Sequence, residues 1–214
     1  VRREWLERQL AGSAPEVAPR LLGSVLRHGE VAVRITEVEA YAGADDPASH
    51  AWRGETARNA TMFGPAGHLY VYTMHGHSCC NVVCGAAGTP TGLLVRAGEV
   101  IGGIDAARAR RGERTAAPVP DARLARGPGN LTRCLGITRA YDGADLAAGE
   151  GPALELADPL PPELITAGPR VGVSRATDVP WRFFIAGDPT VSAYRPARLT
   201  DRTPGTGRAP RRTE

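Results

Sequence analysis

Ile35-Thr36-Glu37-Val38-Glu39-Ala40-Tyr41 decides how this chain is read. Its alternation predicts a β-strand. Period-two geometry puts Ile35, Glu37, Glu39 and Tyr41 on one face and Thr36, Val38 and Ala40 on the other. Carboxylates two residues apart on one face repel, and partial burial makes at least one of them ionise less readily. Such a carboxylate beside an aromatic ring suits a general base next to a flat substrate. Taken alone, the stretch leans toward the plainer reading, an edge strand carrying a solvated acidic face.

The rest of the chain narrows this. Its 214 residues fit one domain with a proper core, and a hydrophobic fraction of 42% argues against wholesale disorder. No apolar run is long enough to span a bilayer, and no hydrophobic leader follows Val1-Arg2-Arg3-Glu4-Trp5, so a cytoplasmic, nucleoid-associated location is expected. All 26 basic residues are Arg and none is Lys, with a net charge of +3. That excludes a lysine Schiff base and a P-loop lysine, and leaves the terminal amine of Val1 as the one alternative amine. Arginine is well suited to phosphate. Cys79, Cys80 and Cys84 crowd one segment and Cys134 stands apart, a poor disulfide framework that predicts reduced thiols.

Helices are expected near Val1–Gln9, with Trp5 and Leu6 on one side, and over Pro15–Leu22, with Val17, Leu21 and Leu22 as the apolar stripe. A polar, turn-rich loop runs from Gly43 to Arg58. His68–Cys84 reads as two β-type runs meeting in a hairpin at His75-Gly76-His77. Gly92–Ala97 reads as a further strand and Gly102–Arg111 as an Arg-rich helix. Arg126-Gly127-Pro128-Gly129-Asn130-Leu131 is a glycine turn feeding a short helix, whose free N–H groups suit a phosphate. Arg170–Ser174 and Trp181–Ile185 are predicted strands, the latter in the core. Residues 196–214 are Arg/Pro-rich and aperiodic, and are expected to be a disordered tail behind a domain of residues 1–195.

Several motifs together carry a resemblance. Glu37-Val38-Glu39-Ala40-Tyr41, His50, Arg58-Asn59, Met62-Phe63 and Gly67-His68-Leu69-Tyr70-Val71-Tyr72 are similar to the alkyladenine (3-methylpurine) DNA glycosylase family. Leu94-Val95-Arg96-Ala97, Gly127-Pro128-Gly129, Arg170-Val171-Gly172-Val173 and Pro180-Trp181-Arg182-Phe183 follow in the same order, so that residues 15 to 195 are covered. The resemblance implies an α+β fold: one mixed domain with a curved antiparallel sheet, flanking helices and a protruding β-hairpin that inserts into DNA. It implies a monofunctional enzyme that flips an alkylated purine out of double-stranded DNA and leaves an abasic site. Glu39 resembles the general base that activates water, and Arg96 the arginine that positions that water. Tyr41, His50 and Tyr72 resemble the walls around the flipped base. Asn81 resembles the residue that disfavours guanine, and the Arg170–Val173 segment one that offers a backbone carbonyl to the water. Arg58, Gly127 and Gly129 are expected on the DNA backbone. No cofactor or metal is implied, and a monomer is expected. The competing role is a catalytically weak protein that shields lesions.

The pattern breaks at the hairpin tip. The family places a bulky wedge, usually Tyr, where His75 stands, and Gly76–Asn81 is one residue shorter than expected. His75 or His77 fills less of the gap left by a flipped nucleotide. A bias toward bulky or distorting adducts, which need less help leaving the helix, is the expectation. His75, His77 and Cys79 also offer a ligand-like spacing, against which the bend at Gly76 counts. Asn130 stands where the family usually has a basic residue.

Overall fold

The computed structural model describes residues 2–112 and 117–197. The expected tail therefore lies, from residue 198 on, outside the described residues. The helices are α1 (Arg2–Gln9), α2 (Ala14–Val17), α3 (Ile104–Gly112) and α4 (Pro128–Leu135). The strands are β1 (Val25–His28), β2 (Val31–Tyr41), β3 (His68–Met74), β4 (His77–Val82) and β5 (Gly92–Gly102). They continue with β6 (Ala125–Arg126), β7 (Ala144–Asp145), β8 (Ala153–Glu155), β9 (Ile165–Gly168) and β10 (Arg182–Ile185).

These ten strands form one sheet of order β7-β3-β4-β5-β2-β1-β8, with β10 bridging β2 and β9 and β6 joined to β5. The architecture is α+β. β2, which carries the opening stretch, is its central strand. β5 pairs along one edge of it, from Ala32 to Tyr41. On the other edge β1 takes the first part and β10 the second, Arg182 facing Glu39.

Register converts this pairing into two kinds of row, because directly opposed residues share a face. Leu69, Val82, Leu93 and Ala40 oppose one another in turn across β3, β4, β5 and β2. All four are fully buried. The next row contains Tyr70, Asn81, Leu94, Glu39 and Arg182. One row is core and its neighbour is polar and aromatic. Helix α4 closes the core side with Leu131, Cys134 and Leu135. It starts at Gly127 and Pro128 and stops at Gly136, whose φ of 69° is the left-handed cap that favours glycine.

Three local expectations need correction. Ile35 joins Val33, Val38 and Ala40 in the core rather than the face of Glu37 and Glu39. The β2–β5 ladder is irregular at Ile35/Glu37 and Glu37/Val38, and an extra residue there switches the face on which the alternation continues. In α1, Leu6 is buried but Trp5 is 43% exposed, so the helix presents one apolar residue inward, not a pair. Arg170–Ser174 is no strand, and the strand in this region, β9, ends at Gly168. The Arg170 side chain is drawn inward onto Asp46 and the Ala40 carbonyl, which pulls the segment off the ladder.

Candidate active site

The polar row organises a cluster of two carboxylates and two guanidiniums. Glu37 and Glu39 are fully buried, and Arg96 and Arg182 are nearly so. Glu37 Oε1 accepts from Arg96 Nε at 2.9 Å and from Arg182 Nε at 2.7 Å. Ser192 adds its backbone N–H to Oε2 at 2.7 Å and its hydroxyl to Oε1 at 2.9 Å. Burial pushes the Glu37 carboxyl up, but Arg96, Arg182 and the Ser192 amide outweigh it and hold the group below its ordinary 4.5. Glu37 therefore anchors arginines and is ionised. Burial pulls Arg96 down, and Glu39 and Glu37 raise it again, so the guanidinium stays charged.

Glu39 is left with different partners. Its Oε1 accepts the Val171 N–H at 2.7 Å and lies 3.3 Å from Arg96 NH1. Its Oε2 accepts the Tyr41 hydroxyl at 2.8 Å. Burial and then the Glu39 charge raise the Tyr41 phenol well above its usual value, so it remains a donor. Behind Tyr41, the Arg170 guanidinium stacks on the ring at 4.7 Å and on Trp181 at 5.2 Å. Arg170 is fixed by a bidentate pair with Asp46, at 2.6 and 2.9 Å, both side chains being fully buried. The ring is thus clamped from the back and open at the front.

The front faces a cavity of about 300 Å³. Tyr41, His50, Tyr72, Asn81 and Arg96, which the sequence distributes over 56 positions, all line it. β2 supplies Tyr41, β3 Tyr72, β4 Asn81 and β5 Arg96. His50 comes from the loop after β2 and meets the Tyr72 ring edge-on at 4.5 Å, with its Nδ1 3.1 Å from the Tyr70 hydroxyl. Burial of the inner side of the imidazole lowers its pKa, so the ring is neutral at pH 7. Burial, and then Cys79, raise the Tyr72 phenol. Asn81 is buried and donates to the Tyr70 carbonyl at 3.2 Å, so its carbonyl oxygen is turned toward Gly92. Glu39 itself sits behind the wall: Arg96 and Val171, the two groups that touch its Oε1, both line the cavity.

The other candidates, Arg58, His75, Gly76, His77, Gly127 and Gly129, do not line this cavity. His75 and Gly76 form the turn between β3 and β4, with φ of 50° and 75°, the pattern of a tight two-residue hairpin loop. His75, Gly76 and His77 are exposed. A Cβ on Gly129 would come within 2.9 Å of His77 Cβ, so the glycine turn packs directly under the hairpin. Arg58 is exposed and lines a neighbouring cavity that shares His50, Tyr70 and Tyr72 with the first. Gly127, at the start of α4, lines another cavity, which shares Arg96 and Val171 with the first. The suggested ligand spacing does not converge, because His77 is exposed and Cys79 is buried beside Tyr72.

Several participants escaped the sequence reading. Arg182, read as part of an aromatic core strand, puts its guanidinium on Glu37. Ser192 lies in an aperiodic stretch with no signal of its own. Tyr70 lines the cavity and holds His50, although its strand pattern reads as core. Arg96 could have paired with Glu99 or Asp105 at the surface. Arg34 takes Glu99 and Arg108 takes Asp105 instead.

Known proteins are similar to this chain over most of its length. A relative from Nocardia farcinica is 52% identical over 212 residues, covering 95% of this chain and 97% of its own. One from Streptomyces avermitilis is 47% identical over 197 residues, covering 90% and 91%. One from Burkholderia lata is 50% identical over 182 residues, covering 84% and 86%. All three carry the provisional name 3-methyladenine DNA glycosylase. The family model described as methylpurine-DNA glycosylase (MPG) matches residues 8–189, and the chain belongs to that family.

Proposed function

We propose that this DNA glycosylase for alkylated bases is monofunctional and hydrolyses the bond between an alkylated purine and its deoxyribose with a water activated by Glu39. A base stacked in a duplex must leave the helix before its sugar carbon can be attacked. The cavity between Tyr41, His50 and Tyr72 receives it, and aromatic faces contribute roughly 1–3 kcal/mol of stacking per base. A cationic alkylpurine gains further from electron-rich rings. Neutral His50 adds no opposing charge.

The observation that carries this reading is the position of Glu39 Oε1, behind the cavity wall between Arg96 and Val171. A water entering there meets the carboxylate on one side and the sugar of a flipped nucleotide on the other. Its oxygen bonds to C1′, its proton passes to Glu39, and the electrons of the N-glycosidic bond leave with the purine. Arg96 positions the water, and Glu37 and Ser192 hold Arg96. Asn81 disfavours guanine through its exocyclic amino group. The product is an abasic site on an intact strand, a reading that the absence of lysine from these 214 residues supports. Arg58, Gly127 and Gly129 hold the DNA backbone. With His75 rather than a larger side chain at the hairpin tip, the enzyme favours bulky or distorting adducts.

The test compares the wild type with Glu39→Gln on duplexes carrying single lesions, followed by alkali to reveal abasic sites. The substitution should abolish base release and preserve lesion binding. Equal activity of the two proteins would remove Glu39 from the mechanism. Tight binding without release by the wild type would favour a lesion-shielding protein.

A further inference from the structure

The cavity between Tyr41, His50 and Tyr72 is lined by two arginines, Arg96 and Arg175, and by no carboxylate. The two charges are held differently. Arg96 is buried and pairs with Glu37 and Glu39. Arg175 is exposed, and among the described residues it forms no ion pair. Its partner is a ring: the Arg175 guanidinium lies 4.5 Å from the centre of the Trp52 indole. Trp52 does not line the cavity, so the stack draws this unpaired charge outward, off the pocket. Arg53 stacks on the same indole at 5.6 Å and does not line the cavity either. Two contacts join the loops that carry these residues. Asp46 grips Arg170 in the interior, and Trp52 meets Arg175 at the exposed rim. Ala176, next in the chain, sits at φ 47°, a left-handed conformation that alanine adopts only where its surroundings hold it. The direction in which Arg175 leaves the backbone is thus set by the fold.

A cation at this rim matters because of what the cavity takes. Alkylation at N3 or N7 makes a purine nucleotide cationic at its base, and a free guanidinium beside it repels it. A guanidinium on an indole face keeps its charge but is attracted to the ring. The other polar groups of the lining add no charge at pH 7, because His50 is neutral and Tyr41 and Tyr72 keep their phenolic protons. We propose that Trp52 and Arg175 set the charge preference of the base pocket: Trp52 holds the Arg175 guanidinium outside it, and cationic purines enter for that reason. Trp52 is a positioning residue and Arg175 a specificity-determining one. This rests on the glycosylase reading above.

The test measures single-turnover excision of a cationic N7-alkylpurine and of a neutral ethenoadenine from otherwise identical duplexes. Trp52→Leu removes the ring and frees the guanidinium. It should slow excision of the cationic lesion about threefold to tenfold relative to the neutral one, the range of a partly screened like-charge contact. Adding Arg175→Gln to Trp52→Leu should bring the ratio back to within about twofold of wild type. Trp52→Phe, which keeps a ring, should hold the wild-type ratio to within about twofold. If Trp52→Leu fails to fold, Arg175→Glu, at an exposed side chain, should shift the ratio about threefold toward the cationic lesion. An equal loss on both lesions in Trp52→Leu, unrelieved by Arg175→Gln, would leave the stack as a contact of the fold and overturn the proposal. Relief by Arg53→Gln instead would give the charge to Arg53 and overturn it too. An equal loss on both lesions in Arg175→Gln alone would make the guanidinium a contact to the DNA, with the same consequence. All three would leave the glycosylase reading intact, whereas a wild type that excises no lesion would overturn both.

Discussion

The Tyr41 hydroxyl donates a 2.8 Å hydrogen bond to Oε2 of Glu39, two residues back on the same strand. One residue thereby serves two surfaces, its ring lining the cavity and its oxygen holding the carboxylate behind it. Tyr41→Phe separates these. The ring stays, clamped by Arg170, and a buried carboxylate oxygen loses its donor, at a cost of about 1–3 kcal/mol. Single-turnover excision should fall by at least about tenfold, while lesion binding changes by no more than about twofold. An equal loss in both would mean that the hydroxyl acts only through the fold.

Glu37 has a separate signature in stability. Its carboxyl is held below 4.5 by Arg96, Arg182 and the Ser192 amide despite burial. A depressed folded-state pKa contributes stability that is present above the unfolded value and is lost as pH falls through the folded value. Glu37→Gln leaves two buried guanidiniums without their counter-charge and should cost about 3 kcal/mol at pH 7. Denaturant titrations should show that difference constant above about pH 5 and shrinking as pH drops below 4.5. A difference that persists unchanged into acid would place the Glu37 contribution in packing rather than charge.

His50 predicts a pH effect on substrate choice. Its pKa lies below the ordinary 6.5 because burial disfavours the imidazolium. The ring is neutral at pH 7 and gains charge only in more acidic solution. A protonated ring against a cationic purine should cost about tenfold in kcat/KM, a partly screened like-charge contact. Excision of an N7-alkylguanine should therefore fall in acid in wild type and lose that dependence in His50→Phe. A neutral lesion such as hypoxanthine should show no such difference between the two proteins. A shared acidic decline for both lesions would assign it to another group.

The parts of this site are legible in the sequence, and their arrangement is not. Glu39, Tyr41, Tyr72, Asn81 and Arg96 stand in strand-like motifs, so each is a visible candidate. What joins them is the register of four strands, set by contacts between residues far apart in the chain. The bulge near Thr36 hides in an unbroken alternation, so Ile35 reads on the wrong face. Arg170–Ser174 has the β-branched composition of a strand. A buried ion pair with Asp46, 124 positions away, overrides that propensity. Arg182 misleads for the opposite reason, since its aromatic neighbours mark a core strand while its own guanidinium crosses to Glu37. Composition was informative where it excluded chemistry, as with lysine.

The hairpin turn gives the last prediction. His75 sits at φ 50°, exposed, in a turn closed by the Met74–His77 pair. It projects from the end of the two strands that carry Tyr72 and Asn81, and imidazole is planar but small. If the plug limits extrusion, His75→Tyr should raise excision of a small, undistorting lesion such as hypoxanthine by about threefold to tenfold. A bulky N3- or N7-alkylpurine, which already unstacks its neighbours, should change by less than about twofold. Histidine tolerates the left-handed turn position better than tyrosine does, so His75→Tyr should also cost up to about 1 kcal/mol of stability, which denaturant titration would register. Excision of hypoxanthine by the wild type as fast as of a bulky adduct would remove the premise. An equal gain on both lesions in His75→Tyr would show that the tip governs general DNA binding and not the opening of the helix.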